Sequence, residues 1–186
     1  MSKTKSTSTD KKPFYKQVWF WVVVVVVLIA IGGAGISNKP EVVGNYDGSS
    51  SEQAGDENSE FKVGDIISFE GQEVVVTSVE RNYSTGNKYT KPSEGKEFVK
   101  VNIQIQNKSQ DKESFNALDW EIEDSDGVIN DYSILGQADD HLGYGDLAAG
   151  GTKKGSLVFE VPAGDKGLKL HFTPNIWSSK EVVINL

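Results

Sequence analysis

Ten carboxylates lie between Lys112 and Lys153 with no lysine or arginine among them: Glu113, Asp119, Glu121, Glu123, Asp124, Asp126, Asp131, Asp139, Asp140 and Asp146. A run of this kind has the composition of a Ca²⁺ site, because Ca²⁺ takes roughly six to eight oxygen ligands from such clusters. The ligands would be Asp124, Asp126 and Asp131, with Asp139 and Asp140 as further candidates. An EF-hand register fails: with Gly127 at the sixth position, Ile122 falls at the first and Ser133 at the twelfth. The competing reading is a solvated acidic face in which Asp126-Gly127 turns the chain.

Other chemistry is thinner. His141, beside Asp139-Asp140, and His171, expected to point outward from its strand, could approach one another, but they lack the spacing of Zn²⁺ ligands. Surface histidines are the expectation. The chain has no cysteine, no Gly-x-Ser-x-Gly elbow and no phosphate-cradling glycine loop between strand and helix. A carboxylate pair for glycoside hydrolysis would need a cleft. The residues therefore predict a protein that is not an enzyme and has no resident cofactor, Ca²⁺ excepted. Aromatic residues point to binding instead. Tyr83, Tyr89, Tyr132, Tyr144 and Trp177 sit in or beside loops. Loops carry partner contacts, and tyrosine and tryptophan are favoured there. Tyr83, Tyr89, Tyr144 and Trp177 are the predicted partner-binding residues, unless they pack over the ends of the fold.

The elements that must position these residues read as strands. Phe98 to Asn107 is the clearest, with Val99, Val101, Ile103 and Ile105 alternating with Lys100, Asn102, Gln104 and Gln106. Val63–Phe69 and Glu73–Glu80 precede it around a turn at Glu70-Gly71-Gln72, and the inward face of the second is ambiguous. Leu118–Glu123 places Trp120 and Ile122 inward, and Val128–Tyr132 is a short strand. Thr152–Val161, Leu168–Thr173 and Glu181–Leu186 follow, and Ile134–Gly151 reads as a long connection. No helical periodicity exceeds a turn after residue 36. Seven to nine short strands separated by turns predict an antiparallel β-sandwich over 61–186. Trp120 is the candidate central core residue. These roughly 126 residues suffice for one core. Without cysteine, no disulfide supports it.

The N-terminal part differs. Residues 18–36 are uncharged and include six consecutive valines, Val22 to Val27. As a helix they would span about 28 Å, close to the thickness of a bilayer's hydrocarbon core. Lys3, Lys5, Lys11, Lys12 and Lys16 precede the span, so the basic tail, 1–17, is expected in the cytoplasm and the sandwich outside. Phe14, Tyr15, Trp19 and Trp21 suit an aromatic belt at the inner interface. The alternative is a signal peptide cleaved near Ala34, after Gly32-Gly33. With no cysteine to carry a lipid, a lipoprotein is not expected. Residues 37–60, polar and glycine-rich, are expected to be a flexible linker reaching about 27 Å. The chain carries a net charge of −8, and from Phe61 onward 13 Lys plus Arg face 20 Asp plus Glu. That balance argues against nucleic acid as a partner. The expected partners are the lipid bilayer, through 18–36, and an envelope or extracellular protein.

Five stretches stand out: Glu94-Gly95-Lys96-Glu97-Phe98-Val99-Lys100-Val101 with Asn107-Lys108-Ser109, Asp126-Gly127, Gly145-Asp146-Leu147-Ala148-Ala149-Gly150, the run Gly155 to Pro162, and Leu168-Lys169-Leu170. Together they resemble the domain-of-unknown-function family four-three-five-two. The resemblance covers about Phe61 to Leu186. Members of that family are exported or membrane-anchored proteins, mainly of Gram-positive bacteria. It implies an immunoglobulin-like sandwich similar to secreted mycobacterial immunogenic antigens. Where the family has a proline before the glycine of Ala149-Gly150, this chain has alanine, a difference confined to a turn. The motifs are those of a fold, and fold alone does not supply function. The combined expectation is a membrane-anchored extracellular binding domain without catalysis, or a secreted antigen-like protein if the N-terminal segment is removed.

Overall fold

The structure, a computed structural model, describes residues 39–46, 61–174 and 180–186. The predicted tail (1–17), the predicted span (18–36) and Trp177 lie outside the described residues, as does most of the predicted linker. Among the described residues no helix is long and apolar enough to cross a membrane.

Twelve strands are described, in chain order: β1 Glu41–Asn45, β2 Phe61–Lys62, β3 Asp65–Phe69, β4 Gln72–Glu80, β5 Lys96–Asn107, β6 Glu113–Asn116, β7 Trp120–Glu123, β8 Ile129–Asp131, β9 Tyr144–Leu147, β10 Thr152–Pro162, β11 Lys169–Phe172 and β12 Val182–Asn185. One sheet has the order β1-β3-β4-β5-β10 and the other β2-β12-β11-β7-β8; β6 and β9 form a separate two-stranded ribbon. Pairing between named strands is antiparallel except where β2 runs parallel to β12. The fold is thus an all-β sandwich.

Alternation decides which side chains meet between the sheets, because successive residues of a strand face opposite ways. Val99, Val101, Ile103 and Ile105 of β5 and Leu157, Phe159 and Val161 of β10 join one core with Trp120, Ile122, Leu170, Phe172, Val182 and Ile184 of the other sheet. Trp120 stands at its centre, 1% exposed, its ring stacked on Phe172 at a centroid distance of 4.2 Å. In β4 the pairing with β5 shifts register between Val76 and Ser78. Val74 and Val76 are in the core while the next residue packed against it is Val79. A bulge adds one residue and resets the alternation, so this strand has no single inward parity to read.

Three expectations about the elements change. Glu41–Asn45 is not linker but a strand: it extends the first sheet along β3, and Val42 packs against the core. The β3 edge offers unpaired N–H and C=O groups, and these residues satisfy them. The strand expected at Val63–Phe69 begins only at Asp65, because Gly64 turns the chain with φ 94° between β2 and β3, which belong to different sheets. The long connection 134–151 contains β9, and its earlier part covers the outer edge of β10. Ser133 N–H donates to the Val158 carbonyl, Ser156 N–H to that of Asp140, and Leu142 N–H to that of Ser156.

Close approach of this connection explains Gly155. A Cβ there would lie 2.6 Å from Leu142 Cα. Gly155→Ala must push backbone from backbone, and we expect a loss of about 1–3 kcal/mol, as for overpacked cores. Urea denaturation of the pair checks this; an unchanged midpoint would mean that the connection yields freely.

Candidate functional site

A cleft of about 770 Å³ opens at the β6–β9 ribbon. Its formation begins with a glycine. Phe115 of β6 faces Gly145 of β9, and a Cβ on Gly145 would meet the Phe115 ring at 3.1 Å. The ribbon is tied to the sandwich by Asn107, which is fully buried at the end of β5. Its Nδ2 donates to the carbonyls of Asp111 and Leu147, at 2.8 and 2.9 Å, and its Oδ1 accepts from Ser109 N–H. Gln72 Nε2 adds a bond to the Ser114 carbonyl.

After β6 the chain makes a single 3₁₀ turn, Ala117–Asp119, capped by Asn116, whose side chain accepts from Leu118 N–H. Asp119 accepts in return from the Asn116 backbone N–H. This is the reciprocal arrangement of a capping box. It leaves the Asp119 carboxyl lining the cleft, with Glu70, Glu113, Asp146 and the phenol of Tyr144 around it. Burial pushes the Asp119 carboxyl up from 3.8 to about 6, against the pull of the Asn116 N–H. Asp146 is paired with Lys112 at 2.8 Å. Tyr144 is 85% exposed at the cleft. The arrangement offers negative charge beside aromatic surface, which suits an ammonium or guanidinium group.

The predicted Ca²⁺ ligands have other roles. Asp124 is buried, and its Oδ1 accepts from the N–H groups of Asp126 and Val128, closing the turn that Gly127 makes with φ 81°. Asp131 stands on β8 opposite Glu121. No group of three or more such side chains among the described residues is placed to hold a metal ion, so Asp124, Asp126 and Asp131 do not form a ligand set. Asp140 accepts from Ser156 Oγ at 2.7 Å and pairs with Lys100.

His171 departs from the surface position expected of it. It is 7% exposed, with Nε2 2.8 Å from Glu123 and Nδ1 3.1 Å from Glu181. Its parity does point away from the core, but these two carboxylates, one on the neighbouring strand, cover it. His141 belongs to the other sheet, bridged to Ser156, and its burial lowers its basicity. The two histidines are therefore not a pair.

Of the predicted partner-binding residues, Tyr144 lies at this cleft and Tyr89, 83% exposed, on the 81–96 loop. Tyr83 is only partly exposed; it packs on Phe98, Ala138 and Val158 outside the first sheet. Tyr132 packs against the core and His141. Glu113 and Asp119 were not separable in sequence from the other eight acids of the run. The one signal was the spacing Asn116-x-x-Asp119, which marks a cap.

Comparisons with known proteins agree with this architecture. A family model described as a domain of unknown function, DUF4352, matches residues 61–182. Among solved structures, the YjhA protein of Bacillus subtilis aligns with a TM-score of 0.54 and 17% identity, over 68% of this chain and 98% of that one. A candidate lipoprotein of the same organism, YcdA, aligns with a TM-score of 0.53 and 20% identity, over 69% of this chain and 39% of that one. The secreted protein MPT63 of Mycobacterium tuberculosis aligns with a TM-score of 0.46 and 10% identity, over 74% of this chain and all of that one. Comparison with curated proteins gives no match.

Proposed function

Because the chain belongs to the DUF4352 family, we propose that it is a membrane-anchored, extracellular binding domain of immunoglobulin-like type, working at the cell envelope without catalysis. The anchor is the uncharged run 18–36, and the basic residues before it keep the N-terminus inside. A protein of the same fold is a candidate lipoprotein, which supports an exported setting. The observation that carries the binding role is the cleft at the β6–β9 ribbon, with Asp119 in its wall and Tyr144 exposed beside it. Its volume falls in the range of small-ligand sites, and its charge selects cationic groups, such as lysine or arginine side chains of a partner.

The pH dependence has a definite sign. A cation binds the ionised Asp119, and the ionised fraction rises through about pH 6. Titration of the full chain in detergent micelles with a hexalysine peptide is expected to show affinity rising by about tenfold from pH 5 to pH 7.5. Asp119→Asn should flatten that profile, and Tyr144→Ala should weaken binding severalfold, whereas Asp126→Asn with Asp131→Asn, outside the cleft lining, should do neither. Equal effects from both sets of variants would reduce the interaction to general charge attraction and sink the proposed site.

A further inference from the structure

We propose that the 81–96 loop holds a second binding site, for a phosphate ester carried on a sugar or polyol, independent of the acid-lined cleft. The chain is acidic overall, at −8, yet residues 81–96 contain Arg81, Lys88, Lys91 and Lys96 against Glu94 alone. Charge is thus segregated within one domain: ten acids without a base on 113–152, and a local excess of three positive charges here.

The lysines line a cleft of about 310 Å³ together with Tyr83, Asn87 and Thr90. Ion pairs elsewhere in the domain occupy Lys100, Lys108, Lys112 and Lys169. None of Lys88, Lys91 and Lys96 has a salt bridge with a described residue. Two acids close to the loop carry other hydrogen bonds, although the Lys96 charge also acts on Glu160. Glu97, in the lining, takes hydrogen bonds from Arg81 and from the N–H groups of Asn82 and Gly164. Glu160 accepts from Ser93 N–H at 2.8 Å. Three ammonium groups in one concave site repel each other, and an anion between them relieves that repulsion.

Two features narrow the ligand class. Arg81 is the chain's single arginine and is committed to Glu97, so no planar fork is left for two-point recognition of a carboxylate. Lysines act as point charges that gather around the several oxygens of a phosphate. Tyr89 stands 83% exposed with Lys88 Nζ 4.8 Å from its ring centroid. An exposed ring beside a charged cleft is a platform for the apolar face of a sugar. The loop is held for this purpose at both ends and in its middle, by bonds from Tyr83 N–H to the Phe98 carbonyl, Thr90 N–H to that of Asn87 and Lys96 N–H to that of Ser93. An extended anionic membrane fits less well, because the ten acids elsewhere on the domain oppose docking on a broad negative surface.

The test is calorimetric or NMR titration of the full chain in neutral detergent micelles with glucose 6-phosphate, with glucose as the uncharged control. Binding of glucose 6-phosphate and not of glucose is expected, weakening as salt is raised. Replacing Lys88, Lys91 and Lys96 together by glutamine should weaken it about tenfold or more. Replacing the exposed Lys62, Lys154 and Lys166 by glutamine should leave it unchanged; circular dichroism verifies that both variants fold. Tyr89→Ala should weaken glucose 6-phosphate but not tripolyphosphate. Equal loss in the two lysine variants, or no binding to the native chain, overturns the proposal. So does binding confined to phosphatidylglycerol vesicles, which would assign the lysines to a lipid headgroup.

Discussion

Replacing Glu97 by alanine is expected to lower the unfolding free energy by about 3 kcal/mol, the low end of the range found when one partner of a buried ion pair is removed, because the Arg81 side chain is 34% exposed and can turn to water. Glu97 is 3% exposed and joins three segments. Its carboxylate accepts from the Arg81 guanidinium and from the backbone N–H groups of Asn82 and Gly164. Alanine would leave the N–H groups of Asn82 and Gly164 without their acceptor and the guanidinium without its counter-charge. Glutamine should cost less, since it keeps an acceptor and loses only the charge.

The same contacts give a pH prediction. The Arg81 hydrogen bond, opposed by burial and reinforced by the Gly164 and Asn82 N–H groups, holds the Glu97 carboxyl below its ordinary 4.5. A carboxyl depressed in the folded state contributes stability that is fully present above its unfolded value and is lost as pH falls through the folded value. The native protein should therefore lose stability below about pH 4.5, and Glu97→Gln should lose less over the same interval. Urea melts of both proteins from pH 3 to pH 7 check this. Parallel curves would show that the pair contributes nothing beyond packing.

Trp120→Ala is expected to cost about 3–5 kcal/mol, for a different reason: a cavity replaces the largest core side chain. The more informative substitution is Trp120→Phe. The Trp120 indole nitrogen is buried with no hydrogen-bond partner among the described residues. Such a donor is itself a cost of about 1–3 kcal/mol. Phenylalanine removes that cost while keeping an aromatic ring against Phe172, so a net loss of only about 1 kcal/mol is expected. A loss from Trp120→Phe equal to that from Trp120→Ala would mean that ring size, and not the unpaired N–H, sets the balance. Thermal or urea unfolding of the two variants distinguishes these outcomes.

The sandwich was legible where one strand face is wet and the other dry. β5, β10 and β11 announce themselves by alternation over four or more residues, and their inward residues are the core. The acceptance of β1 into the first sheet was not legible, because Glu-Val-Val-Gly-Asn is short and precedes a long polar stretch; only the free edge of β3 makes it a strand. The β6–β9 ribbon escaped for a similar reason. Each strand has four residues, 27 residues lie between them, and Tyr-Gly-Asp-Leu has no apolar alternation to read. That ribbon builds the candidate cleft, so the site was hidden with it. Acid composition suggested a metal; the pairing instead spends Asp124 on a turn and leaves Asp119 half-buried at a cap. His171 shows the limit of parity: it faces outward as read, yet two carboxylates cover it, and neither can be located from sequence separation.

The most direct measurement of the central proposal is protease treatment of intact cells of a Gram-positive host expressing the full chain, with intact-mass analysis of membrane, cytoplasm and medium. The account predicts full-length protein in the membrane fraction and release of a fragment containing the sandwich by protease added outside. A sandwich protected until the cells are lysed would contradict the extracellular placement. A product in the medium beginning near Gly35 would contradict the anchor and establish the secreted form in its place.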